Sequence, residues 1–558
     1  MPKIEVSRSD LFALAGIEDP GDEKLARLLT VAKGELDDSD GDRLKIELND
    51  TNRPDLWCVE GVARALKCHA SGSRAHLSNL PPAEDEIRVD PGLRGIRPYV
   101  AAFKATGWTL SEDDVEALVA MQEKLAASFG RDRSTAASGF YRLDEITFPE
   151  DYIAADPSTE YVPLGCEEKM PLSRVLTETE TGRAYAHLLK DAEAYPVLRD
   201  DEGRVLSFPP VLNSQDTGRV QAGDSNLFCE VTGTDWETVQ LTATILAVNL
   251  EDRGAGITPL RVVYSGEESD RTEECPAVHR DTMTATLDRI GEVLGTELDP
   301  KTVRNALDRM DYASVTVEGE SVTGVLPPYR RDGIHPVDMI EDIAVSRGLS
   351  AFEPLLPGSF TMGRSADVED LSDAVRGLMA GAGCEEILRP VLTSMKKVRD
   401  MTGTPEQPVA IANPMTAEYG VVRSSLLPGL LEVESTSGHA AYPHRTFEVG
   451  EVLVLREGLC HTRIMLACLV CGNQADFGAV HSIAGHLCHS RGIELELLET
   501  EDPRFVPGRC ASLLLKGRPA GVIGEVHPEV LENWGITSPA AAMELDLPAL
   551  KLEPSAKG

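Results

Sequence analysis

Asp332, Asp338, Glu341 and Asp342 put four carboxylates into eleven residues of the stretch "YRRDGIHPVDMIEDIAVSRG". His335-Pro336 stops whatever precedes it, and Pro336 suits a first helical turn. Asp338, Glu341 and Asp342 then stand at i, i+3 and i+4, on one helical face. Asp332 lies just before the helix and can fold back toward it. Three like charges on one face repel unless something positive sits among them. All-oxygen donors suit Mg²⁺ or Ca²⁺ rather than zinc or copper. The other reading is a solvated helix start, its acids stabilised by the helix dipole and paired with Arg330, Arg331 or Arg347. The residues alone leave both open.

Cys468-x-x-Cys471, with His481, His486, Cys488 and His489 downstream, has the residue types of a zinc site. The pair falls in "RIMLACLVCG", which reads as a strand. Residues three apart on a strand point to opposite faces, so a shared ion is not expected. The chain carries no G-x-x-x-x-G-K-[ST] loop, no G-x-G-x-x-G turn and no G-x-S-x-G elbow, which gives no support to a phosphate-loop protein or a serine hydrolase.

Elements of many kinds must hold these residues. At roughly 100–200 residues per domain, 558 residues make about three to five domains. With 42% apolar and 26% charged residues the composition is that of a soluble globular protein. No apolar run reaches the length of a membrane span, and neither membrane nor secretion is expected. Eleven scattered cysteines read as reduced thiols in a cytoplasm. The net charge of −38 is a poor long-range field for nucleic acid, which leaves phosphate contacts to local basic patches or a partner.

The pattern predicts an α+β, multidomain chain. Residues 1–90 form an N-terminal α/β domain, with a Pro- and Gly-rich linker at 79–98. Residues 91–270 mix strands and helices, including a long apolar helix from about Trp236 that Thr234-Asp235 can cap. Residues 271–352 form a small unit of helices and a hairpin that holds the acidic cluster. Residues 353–558 form an α/β domain whose closely spaced strands predict an antiparallel sheet. Its apolar stretches "SSLLPGLL" and "RTFEVGEVLVL" are expected to need a partner's cover.

Six stretches occur in order: "NDTNRPDLWCVEGVARAL", "YPVLRDDEGRVLSFPPVLN", "LFCEVTGTDWETV", "PPYRRDGIHPVDMIEDIAVSRG", "NPMTAEYGVVRSSLLPGLL" and "HRTFEVGEV". Together they resemble the β subunit of phenylalanyl-tRNA synthetase in its archaeal and eukaryotic-cytosolic form, over nearly the whole chain. The resemblance implies a cytoplasmic (αβ)₂ tetramer with the α subunit, which attaches phenylalanine to tRNA(Phe) using ATP and Mg²⁺. It implies that the α subunit holds the active site and that 353–558 is a class II synthetase-like domain without catalytic residues. Arg445 resembles a phosphate-binding arginine only loosely, and "PAGVIGEVHPEV" has no arginine at all. It implies a winged-helix-like module at 271–352, with Mg²⁺ on Asp332, Asp338, Glu341 and Asp342. It further implies a tRNA-editing domain that hydrolyses tyrosine wrongly joined to the tRNA, with Pro209, Pro210, Asn213, Ser214, Glu230, Thr234 and Asp235 at its pocket. Asp235 is the expected acceptor for the tyrosine hydroxyl, with a plain helix cap as its other reading. The rival functions are a non-catalytic interaction protein built on a dead synthetase fold, and a metal-dependent enzyme using the acidic cluster itself.

Overall fold

The alternation in "RLKIEL" fully buries Leu44, Ile46 and Leu48, as a strand with one face on a core must. It forms the middle strand of a three-stranded antiparallel sheet. The elements, in chain order, are β1 (Lys3–Ser7), α1 (Arg8–Ala15), β2 (Gly34–Asp40), β3 (Arg43–Leu48) and α2 (Val59–Ser71), with strand order β1-β3-β2. A computed structural model describes residues 3–50, 52–72, 74–265 and 271–551. Its contacts divide the chain into Met1–Leu355 and Leu356–Gly558, against an expected division after residue 352.

In the first unit one apolar core runs from the N-terminal layer into a ten-stranded sheet. Its elements are β4 (Glu86–Val89), β5 (Tyr99–Thr106), α3 (Glu112–Ala127), β6 (Ala136–Arg142), β7 (Glu150–Ala155), β8 (Tyr195–Arg199), β9 (Val205–Phe208), β10 (Leu212–Asn213), β11 (Asn226–Gly233), α4 (Trp236–Asp252), β12 (Gly256–Tyr264) and β13 (Arg271–Cys275). The strand order is β10-β9-β8-β7-β4-β12-β5-β11-β6, with β13 on β12. Helix α4 is buried continuously from Val239 to Leu250, with only Gln240, Thr242, Thr244 and Asn249 interrupting its apolar sequence.

Two boundaries differ from the sequence reading. "EIRV", inside the expected linker, is strand β4, parallel to both β7 and β12; four residues between Pro- and Gly-rich flanks give too short a pattern to see. The expected boundary at 270 falls on residues outside the described set, and β13 beyond it still belongs to the large sheet.

A small lobe completes this unit: β14 (Thr282–Thr286), α5 (Leu287–Leu294), α6 (Pro300–Asp308), β15 (Ser314–Glu318), β16 (Ser321–Val325) and α7 (Pro336–Arg347). Its three helices and its β14-β16-β15 sheet enclose Ile290, Val303, Leu307, Tyr312, Met339 and Ile343.

The second unit contains α8 (Asp367–Gly381), β17 (Glu385–Glu386), α9 (Leu427–Thr436), β18 (His444–Arg456), β19 (Leu459–Cys471), α10 (Phe477–Ser490), β20 (Leu495–Glu499), β21 (Phe505–Leu515), β22 (Arg518–Val526) and β23 (Ala540–Asp546). Seven strands run in the order β17-β18-β19-β23-β22-β21-β20. Only the short β17 pairs in parallel; the rest are antiparallel. "SSLLPGLL" is covered by its own unit: Leu427, Leu430 and Leu431 on α9 are fully buried. The apolar surface left open lies elsewhere, with Leu388 85% and Met415 99% exposed. Cys468 and Cys471 are both buried in β19 and join cores on opposite faces of the sheet. Among the described residues no helix is long and apolar enough to cross a membrane.

Candidate functional site

The carboxylates that open the chemistry of this chain are placed apart. Helix α7 begins with a capping box: His335 Nδ1 accepts from the Val337 N–H at 3.2 Å, and Asp338 accepts from the N–H groups of Ile334 and His335 at 2.8 Å each. Asp338 is therefore turned back onto backbone. Glu341, on the surface, pairs with Lys33 at 3.0 Å. Half-buried Asp332 and buried Asp342 share one buried cation, Arg330, and Asp332 also lies 3.8 Å from buried Arg53. The Arg330 guanidinium donates to Asp332 at 2.7 and 3.0 Å and stands 3.0 Å from Asp342. The Tyr312 hydroxyl donates to Asp342 at 2.9 Å. Burial works to raise the Asp332 carboxyl, and Arg330 and Arg53 more than offset it and hold it well below the usual carboxylate range.

Something positive is thus held at this helix, and it is an arginine of the same loop. Among the described residues no three His, Cys, Asp or Glu side chains converge to hold a metal ion. The four carboxylates expected to hold Mg²⁺ do not converge in this arrangement, in which backbone, Lys33 and Arg330 use their oxygens.

The second candidate is a cavity of about 300 Å³ in the first unit. Leu118 and Val119 of α3, Phe140 of β6, Pro209 and Pro210 form apolar walls, while Ser138, Asn213, Glu230 and Thr232 offer polar groups. Four of the seven expected pocket residues line it: Pro209, Pro210, Asn213 and Glu230. Three do not. Ser214 is buried, its hydroxyl 2.7 Å from that of Thr217. Thr234 is exposed and donates to the Ser134 carbonyl at 2.9 Å. Asp235 is the N-cap of α4, accepting from Thr238 N–H at 2.9 Å and Thr238 hydroxyl at 2.6 Å. The cap reading therefore describes Asp235, whose carboxyl these bonds lower.

Glu230 lines the cavity with its carboxyl. It is 3% exposed. The Tyr141 hydroxyl donates to its Oε1 at 2.9 Å and lies 3.1 Å from Asn213 Oδ1. Its Oε2 has no partner among the described residues. Burial pushes this carboxyl up to about 7, against the Tyr141 hydrogen bond and the charge of Arg97.

Tyr141 is a residue that sequence reasoning missed. Glu230 pairs with Gly139 across β11 and β6, and Phe228 with Tyr141, which puts Glu230 and Tyr141 on one face. A Cβ at position 139 would collide with the Tyr141 hydroxyl, so the glycine clears the path of the phenol to Glu230. A signal was present in "SGFYRL", a glycine two residues before a tyrosine in a strand, but nothing local pointed to Glu230.

Comparison with known proteins adds three observations. The tRNA synthetase B5 domain matches residues 283–349, and the phenylalanyl-tRNA synthetase beta chain CLM domain matches residues 354–547. A phenylalanine–tRNA ligase beta subunit from Pyrococcus horikoshii is 37% identical over 557 residues, 98% of this chain and 99% of that protein. The chain belongs to the phenylalanine–tRNA ligase beta subunit family. A family member from Borreliella burgdorferi is 34% identical over 98% of this chain and 99% of its own length. An N-terminal fragment of the Pyrococcus horikoshii phenylalanyl-tRNA synthetase beta subunit superposes with a TM-score of 0.59 at 36% identity, covering 62% of this chain and 99% of the fragment. As a member of this family the chain is a ligase subunit of the aminoacyl-tRNA synthetase class, with a part in protein biosynthesis.

Proposed function

We propose that this chain is the cytoplasmic β subunit of an (αβ)₂ ligase that joins phenylalanine to tRNA(Phe), and that its own reaction is hydrolysis of tyrosyl-tRNA(Phe) in the 300 Å³ pocket. The names of its relatives support the first part. ATP, its Mg²⁺ and phenylalanine bind on the α subunit, and the second unit of this chain serves as a class II-like scaffold. Arg445, its loosest match to a catalytic arginine, donates to the Ala382 carbonyl at 3.4 Å just beyond α8. Exposed Leu388 and Met415 offer apolar surface to a partner.

The observation that carries the editing reading is the buried Glu230 Oε2, unpartnered among the described residues, in a pocket walled by Leu118, Val119, Phe140, Pro209 and Pro210. Phenylalanine and tyrosine differ by one hydroxyl, and an apolar pocket rejects an added hydroxyl poorly. A pocket that pairs the hydroxyl works in the other direction, because phenylalanine leaves the buried polar group unsatisfied. Protonated, Glu230 donates to the phenol oxygen; ionised, it accepts the phenol proton. Among the described residues lining the pocket there is no histidine and no cysteine. The nucleophile is therefore a water, positioned by polar groups of the pocket and by the tRNA's own terminal hydroxyl, with no covalent intermediate.

The test is release of labelled tyrosine from tyrosyl-tRNA(Phe) by the αβ complex, beside a phenylalanine charging control. A complex that charges phenylalanine but leaves tyrosyl-tRNA intact would return the chain to a non-catalytic scaffold. Asp235→Ala serves as the internal comparison. It should remove a helix cap at a cost of about 1 kcal/mol, seen in denaturant unfolding, with tyrosine release within twofold of wild type. A tenfold loss of release at unchanged stability would restore Asp235 to the site.

A further inference from the structure

The loop "GRDRS" (130–134) joins α3 to β6 at the pocket. Arg131, Asp132 and Arg133 stand in succession at φ of 49°, 51° and 65°. A left-handed backbone costs roughly 1–2 kcal/mol for each residue with a Cβ, so three in a row persist only where their surroundings hold them. The holders are specific. Buried Arg97 donates to the carbonyls of Arg133 at 2.9 Å and Ser134 at 3.4 Å. Arg133 lines the pocket, donates to the carbonyls of Pro210 and Val211 at 3.1 Å each, and lies 4.3 Å over the Tyr185 ring. Its remaining charge is met by Glu123 at 2.6 Å.

Arg133 is thus spent on structure. Two other arginines are not. Arg131, in the same clamped loop, and Arg219, which lines the same pocket, are exposed. Neither makes a side-chain hydrogen bond or ion pair among the described residues. Ninety-two acidic residues face 54 basic ones in this chain, so a polyanion is repelled unless unpaired cations stand where it must approach. An amino acid esterified to RNA enters a pocket only with the preceding phosphates at its rim.

We propose that Arg131 and Arg219 are phosphate contacts for the single-stranded 3′ end of the tRNA, positioning residues that seat the aminoacyl end in the pocket. The proposal rests on the editing reading above, and its test separates the two. The probe is a short single-stranded RNA ending in CCA with tyrosine joined through a 3′ amide, which cannot be hydrolysed. Its binding to the αβ complex is read by fluorescence anisotropy across a salt series. R131Q/R219Q should bind at least fivefold more weakly, with the slope of log affinity against log salt reduced by about 1.4, or roughly 0.7 for each phosphate on a single strand. R131K/R219K should keep most of the wild-type slope. Wild type and R131Q/R219Q agreeing within twofold at equal slope, or wild type failing to bind the probe, overturns the proposal. A wild-type complex that binds the probe with these arginine effects but never releases tyrosine sinks the editing reading and leaves the rim contacts standing.

Discussion

Glu230→Ala in the assembled ligase should slow tyrosine release from tyrosyl-tRNA(Phe) roughly 5- to 150-fold, the range that corresponds to 1–3 kcal/mol for a lost partner of a buried polar group. Phenylalanine charging should stay within twofold, because the pocket plays no part in it. Loss of both activities together would mark a folding defect, and Glu230→Gln then gives the second reading. Glutamine keeps a hydrogen-bonding group for the phenol but cannot titrate. An acid raised in the folded state holds its proton more tightly there. The pH-dependent part of its burial cost is therefore absent below the unfolded carboxyl's range near 4.5 and grows as pH rises to about 7. Melts at pH 5 and pH 8 should show Glu230→Gln gaining stability over wild type mainly at the higher pH. An equal gain at both would mean that Glu230 does not titrate in this window.

Arg330→Met should be the most destabilising single change in the small lobe. It leaves buried Asp342 without its cation, while half-buried Asp332 keeps only Arg53 at 3.8 Å, and breaking a buried pair from one side costs about 3–5 kcal/mol. The loss would appear in denaturant unfolding of the full chain followed by a probe in the lobe. The same variant examines the metal question. Wild type should melt at the same temperature with Mg²⁺ or with a chelator, since Arg330 supplies the charge. If Arg330→Met recovers most of its loss in millimolar Mg²⁺, the two carboxylates can take a divalent ion once the arginine is gone. A wild-type lobe that loosens on chelation would show that a divalent ion, not Arg330, is the working counter-charge.

What could be read from sequence was local. The start of α7 and the sharing of a face by its acids follow from Pro336 and helical spacing. The cap at Asp235 follows from its place before a long apolar run. Arg330 was visible as a possible partner because it stands two residues from Asp332. The rest depends on chain reversals that leave no local trace. The Glu341 partner, Lys33, comes from the N-terminal layer. Tyr141 reaches Glu230 over 89 residues of sequence. For the same reason Asp235 was the expected phenol acceptor: its turn is obvious in the sequence, whereas the inward face of β11 is set by pairing with β6. Strand β4 shows the same limit, since its identity comes from two parallel neighbours rather than from its own four residues.

On the editing reading proposed above, the resident phenol on Glu230 has a consequence for translational fidelity. The pocket is assembled around a tyrosine of its own before any tyrosine arrives, so substrate choice is set while the chain folds. Whatever unseats that ring, whether a side chain at position 139 or a local loosening of β6 with heat, retunes the sieve without touching a substrate. With charging assigned to the α subunit, the editing reading has aminoacyl-tRNA still made after such a loosening. That reading expects tyrosine misincorporation at phenylalanine codons to rise with temperature before charging falls.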